Sequence, residues 1–222
     1  MNQSNFTELL ENELLHATGC TEPIAISYAA AMVKYLLDDY PDEIIVYCSD
    51  KLIKNAQVVT VPGTNGLKGI AVAVAGGLVS GKPDLKLEVL TQLTDEDRKQ
   101  ISILLKKGII TIKRMETDHA LHLSIYAKRG DTTVSVEIID KHIQLGDVIK
   151  NGEYLKKRTD LPMTDKSTYK IESIQSILHY VETVPLEKIK NLIQIQIDTN
   201  SAICEEGLTN YWEKQSEKVL MF

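Results

Sequence analysis

At Gly108 the spacing of apolar residues changes, and that change limits what the chain can become. Before it, apolar residues recur at helical intervals; after it they alternate, the period of strands with one buried face. "IITIKRM" (109–115), "LHLSIYAK" (121–128) and "TTVSVEIID" (132–140) are β-rich runs separated by turn residues such as Arg129-Gly130-Asp131. They predict an antiparallel meander from Ile109 to about Ile149, closed at Asn151-Gly152. Upstream, "EIIVYCS" (43–49) reads as a buried strand, and "VVTVPGTNG" (58–66) as a short strand entering a glycine-rich loop.

The helical part is punctuated by caps. Asn5 with Glu8 predicts a first helix with Leu9, Leu10, Leu14 and Leu15 as its buried stripe. Thr21 is the expected N-cap of a helix over Glu22–Tyr40, with Pro23 in its first turn and Pro41 stopping it. Leu67–Gly81 predicts a helix whose glycines and alanines admit close neighbours, and Thr94 with Asp97 opens another that ends at Gly108. "RTDLPMTDKST" (158–168) reads as a linker before two helices, Tyr169–Val181 and Pro185–Ile197. The expectation is an α+β fold: helices on a mainly antiparallel sheet over residues 1–157, then a linker, helical segment and atypical tail over 158–222.

Acidic residues exceed basic ones, 31 to 25, and no basic patch carries interleaved aromatics, which argues against nucleic acid as a partner. The acidic, amphipathic start is unlike a signal peptide, and the most apolar run, Leu67–Gly81, is glycine-interrupted and shorter than the about 20 residues that span a bilayer. An odd number of cysteines, Cys20, Cys48 and Cys204, none near another in sequence, fits a reducing cytoplasm.

Cys20 stands at the mouth of the second helix. One reading makes it a small buried residue; the other makes it a thiolate stabilised by the unpaired first amides and the helix dipole. Those amides could also hold a substrate carboxylate, and Glu22 beside them could pair with an ammonium group. "VPGTNGLKG" (61–69) is either a plain turn or a small anion nest; it lacks the Gly-Lys-Ser/Thr of a Walker loop. His119 and His122 read as solvated turn residues rather than metal ligands, because their spacing would put them on opposite faces of a strand. His142 is either exposed or a base, and Cys48 reads as core.

"GCTEPIAISYAAA" (19–31) resembles the N-terminal signature of the iron–sulfur L-cysteine desulfidase family, which is related to the alpha chain of iron–sulfur L-serine dehydratases. "SDKLIKNAQVVTVPGTNGLKGI" (49–70), "VETVPLEKI" (181–189) and "NSAICEEGL" (200–208) resemble later blocks of that family in the same order. The resemblance implies a cytoplasmic lyase of amino-acid catabolism: β-elimination from L-cysteine to sulfide, ammonia and pyruvate, with a [4Fe–4S] cluster as Lewis acid and no pyridoxal phosphate. By position it makes Cys20 the base, with Thr21, Glu22, Asn55, Gly63, Thr64, His142 and Asn200 shaping the substrate pocket.

Family members are about twice as long and carry their cluster cysteines around a Cys-Asp-Gly-Ala stretch that this chain lacks. Its tail, "EKQSEKVLMF" (213–222), does not continue the pattern, and His142-Ile143-Gln144 stands where the family tends to carry His-Thr-Asn. The expectation is therefore a truncated desulfidase-like lyase, inactive alone. It would not bind the cluster by itself, and an apolar surface on the Tyr169–Ile197 helices would receive a C-terminal half chain or a second copy. The alternatives are a non-catalytic remnant or small-amino-acid binding module, and an L-serine dehydratase-like lyase.

Overall fold

The computed structural model describes residues 3–14, 19–160 and 173–209. It is an α+β structure in two compact units, residues 19–160 in one and residues 3–14 with 173–209 in the other.

The larger unit begins with α2 (Thr21–Leu37), capped by Cys20 rather than by Thr21, and ended by Asp38 in the left-handed conformation. β1 (Glu43–Cys48) follows, then α3 (Asp50–Ala56), a short helix that the sequence reading did not resolve. The second short strand expected before the glycine-rich loop is reduced to one bridge, Thr60 to Lys68. α4 (Ile70–Ser80) begins later than expected, after Gly69 at φ +99°. α5 (Asp95–Lys106) has the expected capping box between Thr94 and Asp97, and Gly108 takes the left-handed conformation after it.

Five further strands, β2 (Ile110–Arg114), β3 (His122–Arg129), β4 (Thr132–Ile139), β5 (Leu145–Lys150) and β6 (Glu153–Lys156), complete one sheet in the order β2-β1-β3-β4-β5-β6. The meander expectation is corrected at both ends. β2 does not pair with β3; it lies at the sheet edge, parallel to β1, which inserts between them. Asn151-Gly152 does not close the sheet either, but turns the chain into β6. The reason is burial: four of the five residues of β2 are exposed, as suits an edge, whereas β1 buries alternate residues and takes a central place.

Register places the buried residues in rows: Ile44, Ala127 and Val134; Val46, Ile125 and Val136; Cys48, Leu123 and Ile138. This face meets α2, and α4 packs against α2. The two helices approach so closely that a Cβ on Gly77 would stand 2.0 Å from the Ser27 carbonyl oxygen. The Ser27 hydroxyl bridges the pair, donating toward the Ala73 carbonyl at 2.8 Å and its own helix's Pro23 carbonyl at 3.0 Å.

The smaller unit holds α1 (Gln3–Glu13), α6 (Ile174–Thr183) and α7 (Leu186–Thr209). The first helix thus groups with the C-terminal helices, not with an α+β domain over 1–157. Asn5 lies inside α1 rather than at its cap. Leu9, Leu10 and Leu14 are only half-buried, Leu15 is outside the described residues, and the buried contact is Phe6, whose ring lies 5.0 Å from that of Tyr180. Of the expected linker, residues 161–168 are outside the described residues, as are 169–172 of the next helix. α7 extends well past the expected Ile197, because "NSAICEEGLT" holds no breaker strong enough to stop it. Ile174, Leu178, Val181, Leu186, Ile195 and Ile197 on α6 and α7 are exposed.

Candidate functional site

Pairing order and strand direction bring the ends of β1, β2 and β4 and the starts of β3 and β5 to one end of the sheet. The chain leaves that end in loops and short helices, the customary place for a site. Gly19, at φ +145°, lies against the VPGT loop so closely that a Cβ would come 2.9 Å from Pro62 Cγ. That contact seats the start of α2 beside the loop.

The centre of the site is the Glu22 carboxylate. Cys20 Sγ donates to its Oε2 at 3.1 Å, and Asn55 Nδ2, from α3, donates to its Oε1 at 3.1 Å. His142, in the β4–β5 turn, adds its field. Burial alone would raise the Glu22 pKa; the thiol, its own backbone N–H, Asn55 and His142 outweigh this and hold it below the ordinary carboxylate value.

At Cys20 the surroundings favour the resting thiol over the thiolate. Its pKa is pushed up to about 11, first by burial and then by its hydrogen bond to Glu22. The helix-terminal effect is present, since the Glu22 backbone N–H favours the anion, but it is the weaker influence. Cys20 is the N-cap of α2 by backbone position, without a side-chain cap bond, and its sulfur serves as a thiol donor. Cys48 is buried in the sheet's core row, with its pKa pushed up to about 12 by burial.

The remaining sequence candidates divide. Thr21 opens α2 next to the cluster. Thr64 is buried and spends its hydroxyl on the loop itself, donating to Val61 O at 2.7 Å and toward Leu67 O at 3.3 Å. Gly63 takes φ +74°, with Leu90 O 3.0 Å from where its Cβ would be, and its own carbonyl accepts from Arg98 Nε at 2.7 Å. Both therefore serve the turn. Asn200 belongs to the helical unit, where its amide donates to Gln196 O at 2.8 Å.

The reading of His119 and His122 as solvated is corrected. His122 is only 8% exposed, and the loop carrying His119 folds back so that the two rings meet edge to face at 5.6 Å. His122 bonds Thr117 and Glu137, and His119 bonds Asp140. Strand periodicity failed here because His119 precedes β3. The alternation of β4, which puts Glu137 opposite Ser124, was the available signal for a polar face.

No family model matches the chain. It is similar to proteins named "UPF0597 protein": one from Finegoldia magna is 41% identical over 98% of this chain and 52% of its own length. Another, from Lachnoclostridium phytofermentans, is 38% identical over 91% of this chain and 49% of the relative. A third, from Treponema denticola, is 35% identical over 98% and 51%. The chain spans about half the length of the curated relatives it matches.

The resemblance to iron–sulfur lyases implies a cluster, and the cysteines here do not form a cradle for one. Cys48 is buried in the core, Cys204 is exposed on α7 in the other unit, and Cys20 is engaged by Glu22. Among the described residues, no group of three His, Cys, Asp or Glu side chains could hold a metal ion. Nor, among the described residues, is any helix long and apolar enough to cross a membrane.

Proposed function

We propose that this chain binds a small amino acid through its ammonium group, as the substrate-gripping part of a β-eliminating lyase of the L-cysteine desulfidase type. The observation that carries the reading is the Glu22 carboxylate, held ionised and fed by the Cys20 thiol and the Asn55 amide at 3.1 Å each. An arriving ammonium group replaces the thiol as donor. That exchange removes the hydrogen bond that raises the Cys20 pKa and leaves the Glu22 backbone N–H that lowers it. The exchange thereby moves the sulfur toward its ionised form only when substrate is present; to take an α-proton it must first release its own proton to water, and burial still opposes that release. The neighbouring anion and the amino acid's own charges make the site selective for a zwitterion over a simple acid.

Elimination also needs an acid for the departing group, and the resemblance assigns that role to the iron–sulfur cluster. The chain alone therefore binds without turnover. Calorimetric titration is expected to show binding of L-cysteine and L-serine, loss of binding with 3-mercaptopropionate, which lacks the ammonium group, and loss in Glu22→Gln. Iron-reconstituted protein is expected to release no sulfide. Equal binding of 3-mercaptopropionate would sink the ammonium reading, and sulfide release by this chain would overturn the division of labour.

The binding-module reading also has an observation in its favour. With its pKa near 11, the resting thiol is no base at neutral pH. Amino-acid binding that leaves the thiol pKa unchanged would select that reading.

A further inference from the structure

We propose that Thr117, His122 and Glu137 form a hydroxyl-activating relay that accepts acyl groups from small carboxylic esters, at a cavity separate from the Cys20 cluster. Glu137 Oε1 lies 2.7 Å from His122 Nε2, and His122 Nδ1 lies 2.9 Å from Thr117 Oγ1. The proton positions follow from the partners. A carboxylate only accepts, so Nε2 carries the hydrogen, and in the neutral imidazole, the form the relay uses, Nδ1 is then bare. Thr117 Oγ1 accepts the His119 backbone N–H at 3.2 Å, and against a bare Nδ1 its own hydrogen is the one that can fill the 2.9 Å contact. A hydroxyl donating to an imidazole whose far side is held by a carboxylate is the arrangement that makes a nucleophile of an alcohol. The two imidazole nitrogens are exchanged relative to the serine-protease triad, which leaves the proton transfer itself unchanged.

Three features show that this relay is built rather than incidental. β4 has a register irregularity between Val136 and Ile138, at Glu137, and such bulges re-aim side chains beside active sites. The other oxygen, Oε2, is fixed by the Asp147 backbone N–H at 2.9 Å, and Gly146 makes room for it, since a Cβ there would stand 2.1 Å away. Thr117 also opens onto a cavity of about 280 Å³ whose wall carries Asp50, Lys51, Arg114, Glu116, Asp118 and His119. That cavity lies where the parallel strands β1 and β2 end, outside their carboxyl ends. His119 on its wall is oriented by Asp140, 2.6 Å from its Nδ1.

The wall's mixed charge favours a neutral or zwitterionic ester over a phosphate dianion. In the step, Thr117 Oγ bonds to the ester carbonyl carbon and its proton moves to His122 Nδ1. The carbon–alkoxide bond then breaks, and the leaving oxygen takes that proton. Water repeats the sequence, releasing the acid and restoring the hydroxyl. Lys51 is a cation on the same wall as the developing oxyanion, whereas Arg114 is already paired with Asp50 at 2.6 Å.

The test uses the full chain with a neutral alkyl fluorophosphonate and peptide mass mapping. The Oγ–P bond forms as P–F breaks, and fluoride leaves. The expected result is modification of Thr117 that disappears in the near-isosteric Thr117→Val, with p-nitrophenyl acetate hydrolysis falling about a hundredfold in that variant. p-Nitrophenyl phosphate is expected not to react. Labelling absent from Thr117, or a Thr117→Val protein that hydrolyses the ester at the wild-type rate, would overturn the proposal. Because Thr117→Val removes one hydroxyl, its fold can be checked by amide spectra before the rates are compared.

Discussion

A helix entrance has two opposed effects on a thiol, and at Cys20 the larger one runs against ionisation. The backbone N–H favours the anion, while burial and the adjacent carboxylate disfavour it, and the balance pushes the pKa to about 11 from an ordinary 9.0. Alkylation of Cys20 by iodoacetamide is therefore expected to rise with a midpoint near 11, and Glu22→Gln should lower that midpoint toward 9.0 while burial keeps it above. A wild-type midpoint near 9.0 would contradict the account. The linkage has two signs. The raised Cys20 value adds stability that is complete below 9.0 and lost as pH climbs through about 11. The lowered Glu22 value adds stability that is present above the ordinary 4.5 and lost as pH falls through the folded value. The GCTEP residues were legible in the sequence as a cluster because Cys20, Thr21 and Glu22 are contiguous. The sign of the thiol shift was not, because it depends first on how far the fold buries the sulfur and then on the rotamer that carries Glu22 back to it.

Helix α2 and helix α4 make the tightest packing in the larger unit. Gly77→Ala forces its methyl into the Ser27 carbonyl and is expected to destabilise by about 3 kcal/mol, read as a shift in urea midpoint at unchanged m-value. Gly146→Ala should also destabilise, through Glu137, because the methyl displaces a carboxylate that accepts from the Asp147 backbone N–H. An unchanged urea midpoint for Gly146→Ala would count against the Glu137 network. Element identity was readable where the signal is local: the capping box of α5, Gly108 after it, and the alternation of β3 and β4. Pairing was not, because alternation fixes which face a strand buries and says nothing about its neighbour. β2 follows α5 and reaches β1 by a parallel crossover, so adjacency in sequence misled the meander reading. α3 escaped notice because seven residues carry too little periodicity to register.

The whole molecule divides into an α+β unit with the candidate chemistry and a helical unit that leaves Leu178, Val181, Ile195 and Ile197 exposed. An apolar surface of that kind recruits a dye or a partner. Binding of 1-anilinonaphthalene-8-sulfonate is expected, reduced by a Leu178→Lys, Ile195→Lys double variant, and a chain that binds no dye would remove the argument for a docking face. The proposed activity belongs to this scale too, since the resemblance assigns the leaving-group acid of the elimination to an iron–sulfur cluster rather than to the Cys20 site. Exchange at Glu22 remains the central claim, and L-serine tests it without bringing a competing thiol. The decisive measurement is the pH dependence of Cys20 alkylation in the full chain with and without saturating L-serine. The account predicts that L-serine moves the midpoint down from about 11 and that Glu22→Gln abolishes the movement. A midpoint that L-serine leaves in place would contradict it.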